Sequence, residues 1–363
     1  MAHYKSVRDL DWGLVAITVS LCALGILQIF SATHDTEWRD AWWKQIIWVS
    51  AGLLLMWVVS SIDYHNLLDQ VPAFYGASVI ALIVVLVIGE TVFGSRRWIP
   101  LFGGFHIQVS EFVKLVIILL VARYLTELRT ERLQLRDLLR LGGLVLLPTL
   151  MVMKQPDLGT SFTYGAILGA GVFLAGMPAR YWVGVALLGA LLIPGGWSVL
   201  KDYQKARLQT FLNPDLDPRG AGYQVIQSKI AIGSGGMWGK GVTRGSQTQL
   251  RFLPVPHTDF IFSAFGEEHG FVGVVVVLGL YFLFFMQVVH NAQTAPDQAG
   301  MYVCMGIAAL LLFQLLVNVG MVVGRMPITG LPLPFLSYGG SSTLAAFAML
   351  GLVHNVRLQR FVN

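Results

Sequence analysis

The chain has 363 residues, 55% of them hydrophobic and only 12% charged, with a formal net charge of +5. That is more apolar surface than a soluble core of this size needs, and it points to an integral membrane protein. The two cysteines, Cys22 and Cys304, both fall inside apolar runs, which excludes a disulfide framework.

Apolar runs near spanning length recur along the chain: Leu14–Phe30, Ile46–Val59, Phe74–Ile88, Phe112–Tyr124, Leu138–Met153, Phe162–Ala175, Trp182–Leu200, Phe260–Val289, Met301–Val323 and Leu344–Val356. Several fall short of the roughly 20 residues that a span requires, so flanking residues must extend them. The core of the first run is too long for a signal peptide and no small-residue cleavage site follows it closely, so it reads as a retained span. Lipid leaves only helices or closed barrels. The expected fold is therefore an all-α integral membrane protein, a single polytopic domain over residues 1–363. It has about ten transmembrane helices and one large structured extracytoplasmic loop, residues 201–258, between helices 7 and 8.

Orientation follows from Lys and Arg near the span ends. With the N-terminus in the cytoplasm, Lys5, Arg8, Arg123, Arg129, Arg132, Arg136, Arg140, Arg180, Arg357 and Arg360 lie at the cytoplasmic face. An even span count returns the C-terminus there. The segment from Lys201 to Thr258 is then outside, and its length exempts its eight basic residues from the rule.

Three outer regions break the helical pattern. Gly94–Ser110 is rich in Gly, Arg and Trp, and Gly324–Gly340 is rich in Pro and Gly. Between them, the long loop carries Phe211, Tyr223, Val225, Ile226, Ile230, Ile232 and Trp238 at the spacing of short amphipathic helices, followed by a Gly-rich stretch. Such a loop is expected to fold back on the bundle and line a cavity.

The chemistry-bearing residues gather on this outer side. Asp259 sits where the long loop enters an apolar helix, and a carboxylate there is costly unless something pairs or uses it. Thr258 or Asp259 fits a helix N-cap, and Asp259 equally fits a general base beside a basic loop. Lys201, Lys205, Arg207, Arg219, Lys229, Lys240, Arg244 and Arg251 are either solvated surface or an anion site suited to a lipid phosphate. Glu111 and Lys114, three apart, share a helix face and read as a self-neutralising pair or as cavity walls, with Arg96 and Arg97 just upstream. In the turn Lys154-Gln-Pro-Asp-Leu-Gly-Thr160, Asp157 can cap the next helix and Lys154 can act as a counter-charge. Glu267 and Glu268 lie about two turns below Asp259 and are expected to be paired. His257 reads as a local hydrogen-bonder. No nucleotide motif, zinc-ligand spacing or Ser-His-Asp signature is present.

Ordered blocks across nearly the whole chain resemble one family. They are Arg97-Trp98-Ile99, Gln108-Val-Ser-Glu-Phe-Val-Lys114, Lys154-Gln-Pro-Asp-Leu-Gly-Thr160, Gly222-Tyr-Gln-Val-Ile-Gln-Ser228, Gly233-Ser-Gly-Gly-Met-Trp-Gly-Lys-Gly241, His257-Thr-Asp-Phe-Ile-Phe262 with Gly266-Glu-Glu268, and Pro332-Leu-Pro-Phe-Leu-Ser-Tyr-Gly-Gly-Ser341. The chain is identified by them as similar to the SEDS family of bacterial cell-wall polymerases. Gly245-Ser-Gln-Thr-Gln-Leu250 and Pro332-Leu-Pro334 resemble the elongation branch more than the division branch. Val109, where the family usually has Pro, and Arg325, where an aliphatic residue is usual, depart from the pattern.

The resemblance implies a peptidoglycan glycosyltransferase of the bacterial cytoplasmic membrane that polymerises lipid II on its outer side. Asp259 matches the family's essential aspartate and would act as the single base of an inverting transfer. Arg207, Lys229, Lys240, Arg244, Arg97 and Lys154 are the expected substrate and diphosphate contacts; Glu111, Lys114, Asp157 and Ser337 are expected to shape the cavity. The implied partners are a class B penicillin-binding protein and other elongation-complex proteins, with no nucleic acid. No carboxylate cage is visible, and a divalent cation (Mg or Mn) on the diphosphate stays open. A lipid II flippase and a non-catalytic scaffold for the transpeptidase are the competing expectations.

Overall fold

A computed structural model describes residues 10–92, 95–100, 106–128, 133–199, 202–213 and 220–360. Lys5, Arg8, Arg129, Arg132, Lys201 and Arg219, and the side chain of Arg96, lie outside the described residues.

Each of the ten apolar runs falls on a helix. In chain order the helices are α1 (Trp12–Thr33), α2 (Ala41–Ser61), α3 (Tyr64–Asp69), α4 (Val71–Ile88), α5 (Val109–Thr126), α6 (Leu135–Lys154), α7 (Leu158–Leu174), α8 (Ala179–Val199), α9 (Asp202–Leu212), α10 (Ala221–Ser234), α11 (Ser246–Gln249), α12 (Ile261–Gln293), α13 (Gln298–Val322) and α14 (Gly340–Gln359). Among the described residues α1, α2, α4, α12 and α13 are long and apolar enough to cross a membrane. Acidic side chains start several helices by accepting free first-turn amides. Asp11 takes Leu14 N at 3.1 Å, Asp157 takes Thr160 N at 3.1 Å and Asp297 takes Gly300 N at 2.7 Å.

Small residues let the helices approach closely. α14 lies along α2, where Gly52 leaves room for the Phe347 ring and Gly351 for Val59 and the Met56 carbonyl. α13 is the central post, packed against α5, α7 and α12. Outward faces carry large exposed apolar side chains such as Leu54, Ile80, Val87, Phe271 and Phe282, a surface that suits lipid rather than water.

Among the described residues the chain departs from an all-helical pattern in two places. Part of the expected outer loop Gly94–Ser110 forms strands β2 (Ser95–Pro100) and β3 (His106–Ile107), which join β1 (Glu90–Val92) just before it in a small antiparallel sheet of order β1-β2-β3. The second departure is inside α12, where Gly270 breaks the helix with φ 66°. The Gly-rich turn after α10 docks into that break. Gly241 N donates to Glu268 O at 2.9 Å, while Phe271 N and Val272 N donate to the carbonyls of Gly236 and Met237 at 2.9 and 3.1 Å. The loop thereby satisfies backbone groups that the interrupted helix leaves free.

Candidate functional site

Three segments meet around Asp259: the loop end 257–260, the Pro/Gly-rich stretch 324–338, and the start of α7 with the end of α13. Asp259 is not the helix cap. The N-cap of α12 is Phe260, and no side chain caps it. Tertiary donors take the neighbouring carbonyls instead. Tyr338 N donates to His257 O at 2.9 Å, Ser337 Oγ to Thr258 O at 2.8 Å, and Asn318 Nδ2 to Asp259 O at 3.0 Å. Three consecutive carbonyls are thus fixed, and the Asp259 carboxylate has no capping duty.

The carboxylate sits in a recess, partly open at its surface. A methyl group on Gly330 would come within 3.4 Å of its Oδ2. Burial raises its pKa above the ordinary carboxylate value; the positive charges of Arg97 and Arg207 oppose that shift and the negative charge of Asp157 adds to it.

Those three neighbours come from distant parts of the chain. Arg97 is on β2, and its Nη1 lies 3.4 Å from Asp157 Oδ2; its Nε is buried with no hydrogen-bond partner among the described residues. Asp157, the N-cap of α7, also accepts from Gln108 Nε2 at 2.8 Å and from Thr160. Arg207, on α9, donates to Ile328 O at 3.2 Å. It shares a 190 Å³ cavity with Lys229 of α10, Gly324 and Ile328.

The remaining predicted contacts are placed elsewhere. Lys240 Nζ pairs with Glu267 Oε1 at 2.8 Å. Glu267 is fully buried and also accepts from Gln247 N, Thr248 N and Thr248 Oγ1. Glu268 takes Ser31 Oγ at 2.6 Å, with Gln28 and Gln249. These two acids fasten the loop to α12, the pairing expected of charges at such depth. Arg244 and Lys154 are exposed, at the loop surface and at the end of α6. Arg251 turns away to Asp35 O at 2.7 Å. Of the eight loop cations, Arg207 and Lys229 are brought together in one cavity.

Lys114 and Glu111 form a fully buried pair at 2.5 Å. Glu111 borders an interior gap with Gln314, Ser337 and Thr343, so the pair and Ser337 shape the bundle next to the site. His257 is buried between the rings of Trp38 and Tyr338 at 5.2 and 5.8 Å; burial lowers its pKa to about 4, and it is neutral at neutral pH. Sequence reasoning missed Gln108 and Asn318 as individual residues. The signal for Asn318 was available, since it is a lone amide in the apolar stretch Leu315–Met321.

A family match now decides what this arrangement belongs to. The FtsW, RodA and SpoVE family, described as cell cycle proteins, matches residues 12–361. The chain belongs to the FtsW/RodA/SpoVE family. It is 39% identical over 363 residues to the peptidoglycan glycosyltransferase MrdB of Escherichia coli K12, covering 97% of this chain and 94% of that one. It is 35% identical to the peptidoglycan glycosyltransferase RodA of Treponema pallidum, covering 98% and 99%. Among solved structures it is similar to a chain of a peptidoglycan synthase complex that coordinates polymerization and crosslinking, with TM-score 0.85, 36% identity and coverage of 98% and 99%. Rod shape determining protein RodA of Thermus thermophilus matches with TM-score 0.73, 31% identity and 98% coverage of both chains.

Proposed function

We propose that this member of the family is a peptidoglycan glycosyltransferase that polymerises lipid II during cell elongation, with Asp259 as its base. Its nearly full-length relatives carry that activity in their names. The observation that carries the site assignment is Asp259 itself: a recessed carboxylate, freed from capping, with its own carbonyl and the two before it held by Asn318, Ser337 and Tyr338, and Arg97 and Arg207 acting on it.

The reaction needs little more. The acceptor hydroxyl attacks the anomeric carbon of the donor sugar. The bond from that carbon to the diphosphate oxygen breaks, and the lipid diphosphate leaves with its electron pair. The hydroxyl proton passes to Asp259. A diphosphate is already a good leaving group, so cations that hold it complete the minimum set. Arg207 and Lys229 line the cavity suited to that role, and Arg97 stands beside Asp157.

Among the described residues no group of three or more His, Cys, Asp or Glu side chains is gathered for a metal. A divalent cation on the diphosphate would take its remaining ligands from phosphate and water, the usual habit of Mg.

In the membrane, the ten apolar helices span the bilayer with both termini in the cytoplasm and the 201–258 loop outside, between the seventh and eighth spans. A class B penicillin-binding protein is the partner that would cross-link the product. The polar groups around Asp259 gather at the loop-bearing ends of the helices, which favours the enzyme over a flippase with a midplane site. Purified protein given lipid II should form polymer, and Asp259→Ala should form none. Lipid II scrambling without polymer would instead mark a flippase. Partner binding with no polymer from either form would mark a scaffold.

A further inference from the structure

Asn318 lies near the end of α13, completely buried, among Leu315, Leu316, Val317, Val319 and Met321. A buried amide in that setting costs free energy unless it is hydrogen-bonded. Its Nδ2 donates to Asp259 O at 3.0 Å and to Leu331 O at 2.8 Å. Both acceptors are carbonyl oxygens, so only the NH₂ end satisfies them, and the orientation of the amide is fixed by chemistry. Its Oδ1 is buried with no hydrogen-bond partner among the described residues. An unsatisfied buried acceptor is costly, so the side chain is held there for what its two N–H groups do.

What they do is tie the Asp259 backbone to Leu331 through α13, beside the bonds that Ser337 and Tyr338 make to Thr258 and His257. Asp259 is 59 residues before Asn318, and Leu331 is 13 after it. Leu331 follows Gly330, the residue against the Asp259 carboxyl. The amide therefore sets the distance between the acid and the wall facing it. The α12 helix does not use the Asp259 carbonyl: Ser263 N and Ala264 N both donate to Phe260 O. Without Asn318 that carbonyl loses the donor that holds it to α13.

We infer that Asn318 is a positioning residue of the transfer reaction, holding the backbone of Asp259 at a fixed distance from the Gly330–Leu331 wall so that the carboxylate meets the acceptor hydroxyl. The inference rests on the reading of Asp259 as the base. It differs from a packing role in one respect: it acts on the rate of the bound complex, not on binding. A misplacement of about 1 Å in such a group costs up to roughly 100-fold in rate.

The test uses full-length protein in detergent or nanodiscs, with lipid II as substrate and rates followed from acid to alkaline pH. Asn318→Ala should lower kcat about 10- to 100-fold while KM stays within about threefold. Asn318→Asp keeps the shape, replaces the two N–H donors with at most one carboxyl O–H, and where ionised sets a second negative charge near the first. It should lower kcat and move the acid limb of the pH profile to higher pH, a shift that loosened packing alone does not produce. Asn318→Asp is also the control should Asn318→Ala fail to fold. A folded Asn318→Asp with wild-type kcat and an unmoved acid limb overturns the inference, as does a change confined to KM. Asp259→Ala run alongside separates the two readings. If it retains activity, the base assignment fails; if it is dead while the Asn318 variants are normal, only the positioning role fails.

Discussion

Arg97 Nη1 lies 3.4 Å from Asp157 Oδ2, and the same guanidinium acts on the carboxyl of Asp259. One cation on a short strand thus serves two acids, one capping α7 and one just before α12. Burial, and then charges from β2, α9 and α7, therefore set the ionisation of Asp259 together. The proposed base works only when ionised, so its raised pKa should place the acid limb of activity above the range of an ordinary carboxylate. Arg97→Gln removes a favourable charge and should move that limb to higher pH, with a loss of about tenfold at neutral pH. Asp157→Asn removes a like charge and should move it to lower pH. Polymerisation rates across a pH series read both shifts; movement in the same direction would break the argument.

The same shift has a consequence for stability. A carboxyl whose folded pKa is raised above its unfolded value favours the fold only at low pH, and that contribution is lost as pH rises through the folded value. At neutral pH, ionised Asp259 is therefore a cost. Asp259→Asn should melt at or above the wild-type temperature at pH 7, with the gap closing as pH falls through the carboxylate range. A variant both inactive and less stable at pH 7 would mark the residue as a structural support.

The docking of the Gly-rich turn into the α12 break depends on Gly239. Its φ is +79°, and an added Cβ would lie 2.2 Å from the Glu268 carbonyl oxygen. Neither strain can be relieved without moving the turn. Gly239→Ala should destabilise the protein by about 2–4 kcal/mol, read as a lower denaturation midpoint. Gly233→Ala, with open space around it, is the matched control and should change little.

Glu111 and Lys114 form a buried pair whose members depend on each other. Lys114→Met alone leaves an uncompensated buried carboxylate and should cost about 3–5 kcal/mol. Adding Glu111→Gln removes that charge and should restore most of the stability. If the pair only shapes the bundle, the double variant also keeps polymerisation within about threefold of wild type. A stable but inactive double variant would instead assign Glu111 a chemical role.

How much of this was legible in the sequence depends on whether the governing interaction is local. The apolar runs were, because hydrophobic length alone selects a helix, and each of the ten coincides with one. The strands around Arg97 were not, since a short stretch of Gly, Arg and Trp has no alternation to read. The break at Gly270 was hidden because apolar residues continue past it and the groups that fill it come from residues 236–241. Thr258 and Asp259 carry a fair capping signature, yet Ser337, Tyr338 and Asn318 hold the backbone at that point in a different way. Charge was legible in the long loop, but partners were not. Lys240 is neutralised by Glu267 and Arg251 reaches Asp35, and neither pairing follows from spacing.

The central claim is that Asp259 removes the acceptor proton while Arg207 and Lys229 hold the leaving diphosphate. The most direct measurement is glycan polymer length and yield from purified lipid II, with wild type, Asp259→Asn and the Arg207→Gln/Lys229→Gln pair, each with and without EDTA. Asp259→Asn should abolish polymer while still binding lipid II. The paired variant should polymerise slowly and with a higher KM. Polymer from Asp259→Asn at near the wild-type rate would contradict the account.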